Sequence, residues 1–244
     1  VRPEAGPRHN PTDVRLLCFP HAGAGASAYR DWGRLLPGVD VVAVQLPGRE
    51  SQLAQPPIPT ATELVRHLMP SLTQRRQWPT ALFGHSLGAL LAYEVAHALT
   101  SMGHPPVHLF VSAYAAPHLP RPQNGIVHEL PEAELIEHVV GLDGTSREVL
   151  EHPELVGLVL PALRADYAVC ETYRHPKRAQ LPVPITAFGG LDDRQADYEC
   201  LAAWQELTAL HFAVSQFPGG HFYLHHHLAG VVAQIRAGLG FDAN

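Results

Sequence analysis

Phe83-Gly84-His85-Ser86-Leu87-Gly88-Ala89-Leu90-Leu91-Ala92-Tyr93-Glu94-Val95-Ala96 is the stretch that decides the fold. Thr80–His85 reads as a short apolar strand, and Leu87–Met102 as a long helix that stops at Gly103. Between them lies Gly84-x-Ser86-x-Gly88. A serine at a strand-to-helix junction must stand on a tight, strained turn to present its Oγ above the strand end. Side chains two residues to either side would collide there, hence the two glycines. The helix beginning at Leu87 aims its free amides and positive dipole end at the same place. As a bare five-residue pattern the match is weak; the strand-to-helix context makes it specific.

Outward from this junction, apolar β-rich runs alternate with helical patterns. Strands are expected at Val14–Phe19, Val39–Leu46, Val107–Ala113, Val183–Phe188 and Leu210–Phe217. Helices are expected at Ala26–Leu36, Thr60–Arg76, Gln195–Leu207 and Phe222–Gly238. Thr60-x-x-Glu63 has the pattern of a capping box, and Leu64, Val65, Leu68, Met69 and Leu72 share one helical face. Alternation of this kind, with nearly continuous apolar strands, predicts a parallel sheet covered on both faces. Right-handed crossovers put every strand's C-terminus on one edge, and ligands bind beyond that edge. Catalytic residues should therefore follow strands directly.

One stretch breaks the alternation. From Tyr114 to Leu181 no strand is evident; a proline-rich start at Ala116–Pro122 leads into helical patterns near Pro131–Val140 and Pro153–Tyr173, the second with an expected kink at Pro161. The expected organisation is one domain over residues 1–244, with 114–181 inserted as a helical lid above the strand edge.

A nucleophilic serine needs a base, and the base an orienting acid. The chain has 17 histidines, so position must separate them. His221, in Phe217-Pro218-Gly219-Gly220-His221, lies between the last strand and the last helix and so reaches the same edge as Ser86. His225, His226 and His227 are consecutive on a helix and point in different directions, which suits packing or solvent better than a metal. His85 reads as a supporting residue. Asp192 and Asp193 both follow the strand Val183–Phe188, and spacing does not choose between them. The order serine, acid, histidine is that of the α/β-hydrolase fold. Two N–H donors must face the developing oxyanion. Leu87, next after the nucleophile, supplies one; Ala22, in the small-residue loop His21–Ser27 after the first strand, supplies the other. That loop also satisfies the dinucleotide pattern through Gly23-x-Gly25-x-x-Ala28. The pattern wants an acidic residue at the end of the next strand, where Gln45 and Leu46 stand instead.

Composition narrows the classes. A formal net charge of -6 argues against a nucleic-acid partner. Hydrophobic residues make up 46% of the chain, enough for a sizeable core. Cys18, Cys170 and Cys200 are isolated, with neither disulfide nor zinc spacing. Val1–Pro11 is polar and proline-rich, without the apolar core of a signal peptide. No apolar run is long enough to span a membrane. The expectation is a cytoplasmic enzyme.

The segments together resemble the type II thioesterases of polyketide and nonribosomal peptide biosynthesis. The resemblance runs from about Leu16 to Val232. It rests on CFPHAGAGAS (Cys18–Ser27), QLPGRE (Gln45–Glu50), the Phe83–Ala96 stretch, LPALRADYAVCETY (Leu160–Tyr173), GGLDD (Gly189–Asp193) and FPGGHFYL (Phe217–Leu224). It implies a hydrolase that removes acyl groups from the phosphopantetheine arm of acyl or peptidyl carrier proteins, needing no metal or redox cofactor. It places the nucleophile on Ser86, the base on His221, the acid on Asp193 and the oxyanion amides on Ala22 and Leu87. The chain departs from the family where Ala24 separates Gly23 from Gly25, and where Gln52 replaces a frequent basic residue. It also implies acidic carriers, for which Arg164, Arg174, Lys177 and Arg178 are candidate contacts, with Leu155, Leu158 and Val159 facing acyl chain or core. The residues alone stop at acyl hydrolase, leaving a carboxylesterase or a non-catalytic carrier-binding protein as alternatives.

Overall fold

In a computed structural model, which describes residues 14–74, 78–120, 126–140 and 153–241, the six expected strands form one sheet. They are β1 (Val14–Phe19), β2 (Val39–Ala43), β3 (Thr80–His85), β4 (His108–Ser112), β5 (Ile185–Gly190) and β6 (Phe212–Phe217). Their order is β2-β1-β3-β4-β5-β6, and every pairing is parallel. β1 and β3 run side by side with Phe19 opposite Gly84, so the loop after β1 borders the serine turn.

The central strands are largely apolar because each faces two cores. Leu17, Phe19, Leu82, Leu109, Val111, Ile185 and Ala187 join one buried cluster. Leu16, Cys18, Ala81, Phe83, Phe110 and Phe188 join the other. Successive residues point to opposite faces, so a sheet covered on both sides needs apolar residues at every position. The first cluster is closed by α2 (Ala61–Leu72) and α3 (Leu87–Ser101). The second is closed by Tyr29, by Trp32 of the short α1 (Trp32–Leu35) and by the last helix, Leu224–Gly238.

Between β4 and β5 come α4 (Glu132–Val140) and α5 (Pro153–Thr172). α6 (Tyr198–Ala202) follows β5, and the last helix is α7 (Leu224–Gly238). Val127, Leu135, Val139 and Leu163 form a small third cluster, with Ala22 packed against it. The far end of α5 is fastened to α3. Arg178 pairs with Glu94 through both guanidinium nitrogens, one at 3.0 Å, and lies 4.6 Å from the centre of the Tyr93 ring. The Tyr173 hydroxyl donates to the same carboxylate, and Tyr93 Oη meets His175 Nε2 at 2.9 Å.

Four local expectations change. The helix expected over Ala26–Leu36 is a 3-10 turn (Ala26–Tyr29) followed by α1, and that over Gln195–Leu207 is α6 followed by a 3-10 turn (Ala203–Leu207). The Thr60 hydroxyl donates to Glu63 at 2.9 Å and caps no backbone amide, so the capping box is not formed. The strand expected over Val39–Leu46 ends at Ala43, and Pro161 lies inside α5. The calls on Val1–Pro11, on Arg76 and on the stretch before Pro153 lie outside the described residues.

Candidate active site

Ser86 occupies the turn between β3 and α3 with φ 55° and ψ −121°, a left-handed backbone that a non-glycine residue adopts only under constraint. Its amide donates to Ser112 O at 2.8 Å, tying the turn to the end of β4. A Cβ on Gly84 would sit 2.0 Å from Gly88 O, and one on Gly88 would sit 2.0 Å from Phe19 O. Both glycines are therefore required, the second because α3 starts against the backbone of β1.

His221 Nε2 lies 3.0 Å from Ser86 Oγ, and His221 Nδ1 lies 2.9 Å from Asp193 Oδ2. A carboxylate only accepts, so Nδ1 carries the ring proton and Nε2 is left to accept from the serine hydroxyl. Asp193 is buried and its other oxygen accepts the Gln195 amide at 2.9 Å. Asp192 is exposed; only its amide is engaged, donating to Gly219 O at 2.9 Å. The turn after β5 thus buries Asp193 against His221 and leaves the Asp192 side chain exposed. That turn and the histidine loop are built against one another. A Cβ on Gly190 would lie 2.2 Å from Gly220 O, and the Leu191 amide donates to Phe217 O at 2.8 Å.

Behind the triad lies a polar chain that sequence reasoning did not find. His85 Nδ1 meets Ser112 Oγ at 2.8 Å, and Ser112 Oγ meets Tyr223 Oη at 2.7 Å. The His85 ring lies 5.4 Å from that of His221. Burial, reinforced by the neighbouring His221 and His21, holds His85 well below the ordinary imidazole range. His85 is therefore held neutral, with its Nδ1 committed to Ser112. Ser112 carries no sequence signal beyond ending a strand.

Two amides are the oxyanion candidates, those of Leu87 and Ala22. Leu87 is the first residue of α3, where an amide has no intrahelical acceptor. Ala22 packs against clusters that hold Leu87 on one side and Leu163 of α5 on the other. The dinucleotide pattern in this loop meets no extended helix, only the 3-10 turn at Ala26–Tyr29. His225 and His226 are exposed, and His227 stacks on Phe217 with ring centres 6.0 Å apart.

The lysine and arginines of the insertion do not form one free cationic face. Arg178 is committed to Glu94, and Arg164 holds the carbonyls of His128 and Leu130. Arg174 and Lys177 are exposed. Of the apolar candidates, Leu158 is exposed and Val159 half-buried, while the Leu155 side chain lies outside the described residues.

Among the described residues no helix is long and apolar enough to cross a membrane. The family described as "Thioesterase domain" matches residues 14–239. The chain is similar to the Gramicidin S biosynthesis protein GrsT of Aneurinibacillus migulanus, 38% identical over 214 residues, covering 87% of this chain and 83% of the relative. It is similar to Thioesterase PikA5 of Streptomyces venezuelae, 39% identical over 214 residues, covering 86% and 75%. It superposes on the type II thioesterase BorB from the borrelidin biosynthetic cluster with a TM-score of 0.87 and 41% identity, covering 95% of this chain and 94% of that one. Sheet order, serine turn and near full-length likeness agree: the chain belongs to the thioesterase family of the α/β-hydrolase fold, beside the type II thioesterases of polyketide and nonribosomal peptide clusters.

Proposed function

We propose that this protein hydrolyses acyl groups off the phosphopantetheine arm of acyl or peptidyl carrier proteins, as an editing enzyme of the cytoplasm. The hydrogen-bonded chain Ser86–His221–Asp193 at the C-terminal sheet edge carries the chemical part of this reading. The likeness to proteins of antibiotic clusters supports the choice of substrate.

Ser86 Oγ attacks the thioester carbonyl carbon as its proton passes to His221 Nε2. Asp193 holds the Nδ1 proton and steadies the imidazolium. The Ala22 and Leu87 amides receive the negative charge on the former carbonyl oxygen. Collapse breaks the C–S bond, and His221 returns its proton to the leaving thiolate. Water then attacks the acyl-serine, giving its proton to His221 and restoring the Ser86 hydroxyl as the acid leaves. One thioester and one water become one acid and one thiol. The helices of 114–181 serve as a lid, since α5 packs against Ala22 beside the serine turn.

The test is hydrolysis of a panel of acyl-loaded carrier proteins beside simple esters of the same acids. Faster kcat/KM on the carriers supports the reading. Faster turnover of esters makes the protein a carboxylesterase, and no turnover of either makes it a carrier-binding protein.

A further inference from the structure

Two of the motifs that carry the resemblance, QLPGRE and LPALRADYAVCETY, contribute nothing to the triad. The structure brings one residue from each together. Asp166, on α5, is 1% exposed, and Arg49, in the loop after β2, is 7% exposed. Arg49 Nη2 donates to Asp166 Oδ1 at 2.8 Å while Nη1 donates to Oδ2. A third donor completes the carboxylate: the Gly23 amide reaches Oδ2 at 2.8 Å. Arg49 Nη1 also donates to Ala24 O at 3.2 Å. The pair thus grips the Gly23 N–H and the Ala24 carbonyl, on the two peptides that flank the Gly23–Ala24 bond, and the Gly23 N–H lies one residue beyond the Ala22 amide.

The rest of the loop is held from the same direction. Gln45 Oε1 accepts the Ala26 amide at 3.1 Å, and its Nε2 donates to Leu46 O and Arg49 O, each at 3.1 Å. Glu50 accepts from the Ser27 amide at 3.3 Å. Gly23 has φ +78°, and a Cβ there would lie 2.9 Å from Leu163 Cδ1. α5 therefore presses on the loop with Leu163 and binds it with Asp166.

A buried ion pair rarely adds net stability over apolar residues of similar size. Burial raises the Asp166 carboxyl above its usual range even against the pull of Arg49 and Gly23. Its position, on a backbone that must aim a donor accurately, gives such a pair a use that stability does not.

We propose that Asp166, braced by Arg49, is a positioning residue of the thioesterase reaction: it fixes the loop so that the Ala22 amide meets the developing oxyanion, which makes the second half of α5 a fixed wall of the oxyanion hole. This rests on the roles proposed for Ser86 and Ala22. It also divides the insertion, because a lid that swung as one body would pull Asp166 from Gly23 at every turnover.

The test compares Asp166→Ala, Asp166→Asn and the double variant Arg49→Met with Asp166→Leu, on a small acyl thioester without carrier. Loss of one oxyanion donor lowers kcat by about 10²–10³-fold. Asp166→Ala should approach that loss with KM within about twofold, because an oxyanion donor acts on the transition state more than on the bound substrate. Affinity for an acyl trifluoromethyl ketone should fall in parallel. The pH profile of kcat/KM should keep its shape, since the triad is untouched. Asp166→Asn, which keeps an acceptor for the Gly23 amide, should recover part of kcat. The double variant should keep its melting temperature and stay slow. Wild-type kcat in a folded Asp166→Ala or double variant would overturn the proposal, as would a loss confined to KM. In the unsubstituted protein, the Gly23 amide should exchange with solvent as slowly as those of β1; fast exchange there also overturns it, whatever the variants do. Ser86→Ala, assayed alongside, separates the two readings: if it retains turnover, the nucleophile assignment fails, independently of Asp166.

Discussion

The serine edge of the sheet and the inserted helices are held by different means. At the edge, backbone meets backbone: Gly84 against Gly88, Gly88 against Phe19, Gly190 against Gly220. In the insertion, charged side chains meet across long chain separations: Asp166 with Arg49, Arg178 with Glu94, and Glu171 with the amides of Val127 and His128. Backbone contact allows no rearrangement without a steric clash, which suits a triad that needs fixed distances. Side-chain pairs hold an element at chosen points: Asp166 and Arg49 fix α5 to the loop after β1, and Arg178 fixes the segment after α5 to α3.

Substitutions on the two sides should therefore fail differently. At the edge the loss is chemical. Ser86→Ala and His221→Ala should each lower kcat by about 10⁶-fold in a folded protein, and the double variant should be little worse, because triad members act as a unit. Asp193→Asn should cost about 10⁴-fold in kcat through the wrong His221 tautomer. Asp192→Asn should leave kcat nearly unchanged, since its carboxylate is exposed. Steady-state kinetics on a small thioester reads all of these; an equal loss at the two aspartates would erase the distinction drawn from burial.

In the insertion, away from Asp166, the first loss is stability. Arg178→Glu sets a second carboxylate against Glu94 where both partners are mostly buried. Breaking such a pair costs roughly 3 kcal/mol, visible as a lower urea midpoint with kcat preserved in the folded fraction. Acid should act on both regions. Burial lowers His108, in the sheet, to about 4, and burial with Arg178 nearby lowers His97, on α3, to about 4. The unfolded chain then binds more protons than the native one from the ordinary imidazole value near 6.5 down to about 4. Stability should accordingly fall with pH through that window, by up to about 1.4 kcal/mol per pH unit for each group. His108→Gln should flatten the slope; an unchanged slope would mean that this ring is charged in the native state.

The smallest effect belongs to the surface. Arg174→Glu with Lys177→Glu should lower kcat/KM for acyl-carrier substrates a few-fold, since exposed pairs contribute about 0–1 kcal/mol each. Added salt should erase the difference, and a small thioester should be unaffected. Equal losses on both substrates would assign these residues to the structure of the insertion.

The same contrast explains what could be read from the chain. Six strands, the serine turn and the Gly-Gly-His loop carry local signals, because apolar runs and closely spaced glycines show in a short stretch of sequence even where, as for Gly88 against Phe19, the contact they serve is distant. Asp193 could be separated from Asp192 only by seeing which one the turn buries. The Ser112–Tyr223 link and the Arg49–Asp166 pair join residues 111 and 117 positions apart, and no spacing rule connects them. Arg178 is a candidate carrier contact in the sequence for the same reason: nothing in the spacing reveals that Glu94, 84 positions away, lies beside it.

The central claim is that an acyl group leaves its carrier thiol for Ser86 before it reaches water. Mass spectrometry of the protein quenched during turnover of an acyl-loaded carrier tests it most directly. The peptide containing Ser86 should gain the mass of the acyl group less one hydrogen, and Ser86→Ala should show neither adduct nor turnover. Hydrolysis of the loaded carrier by Ser86→Ala at the wild-type rate would contradict the account.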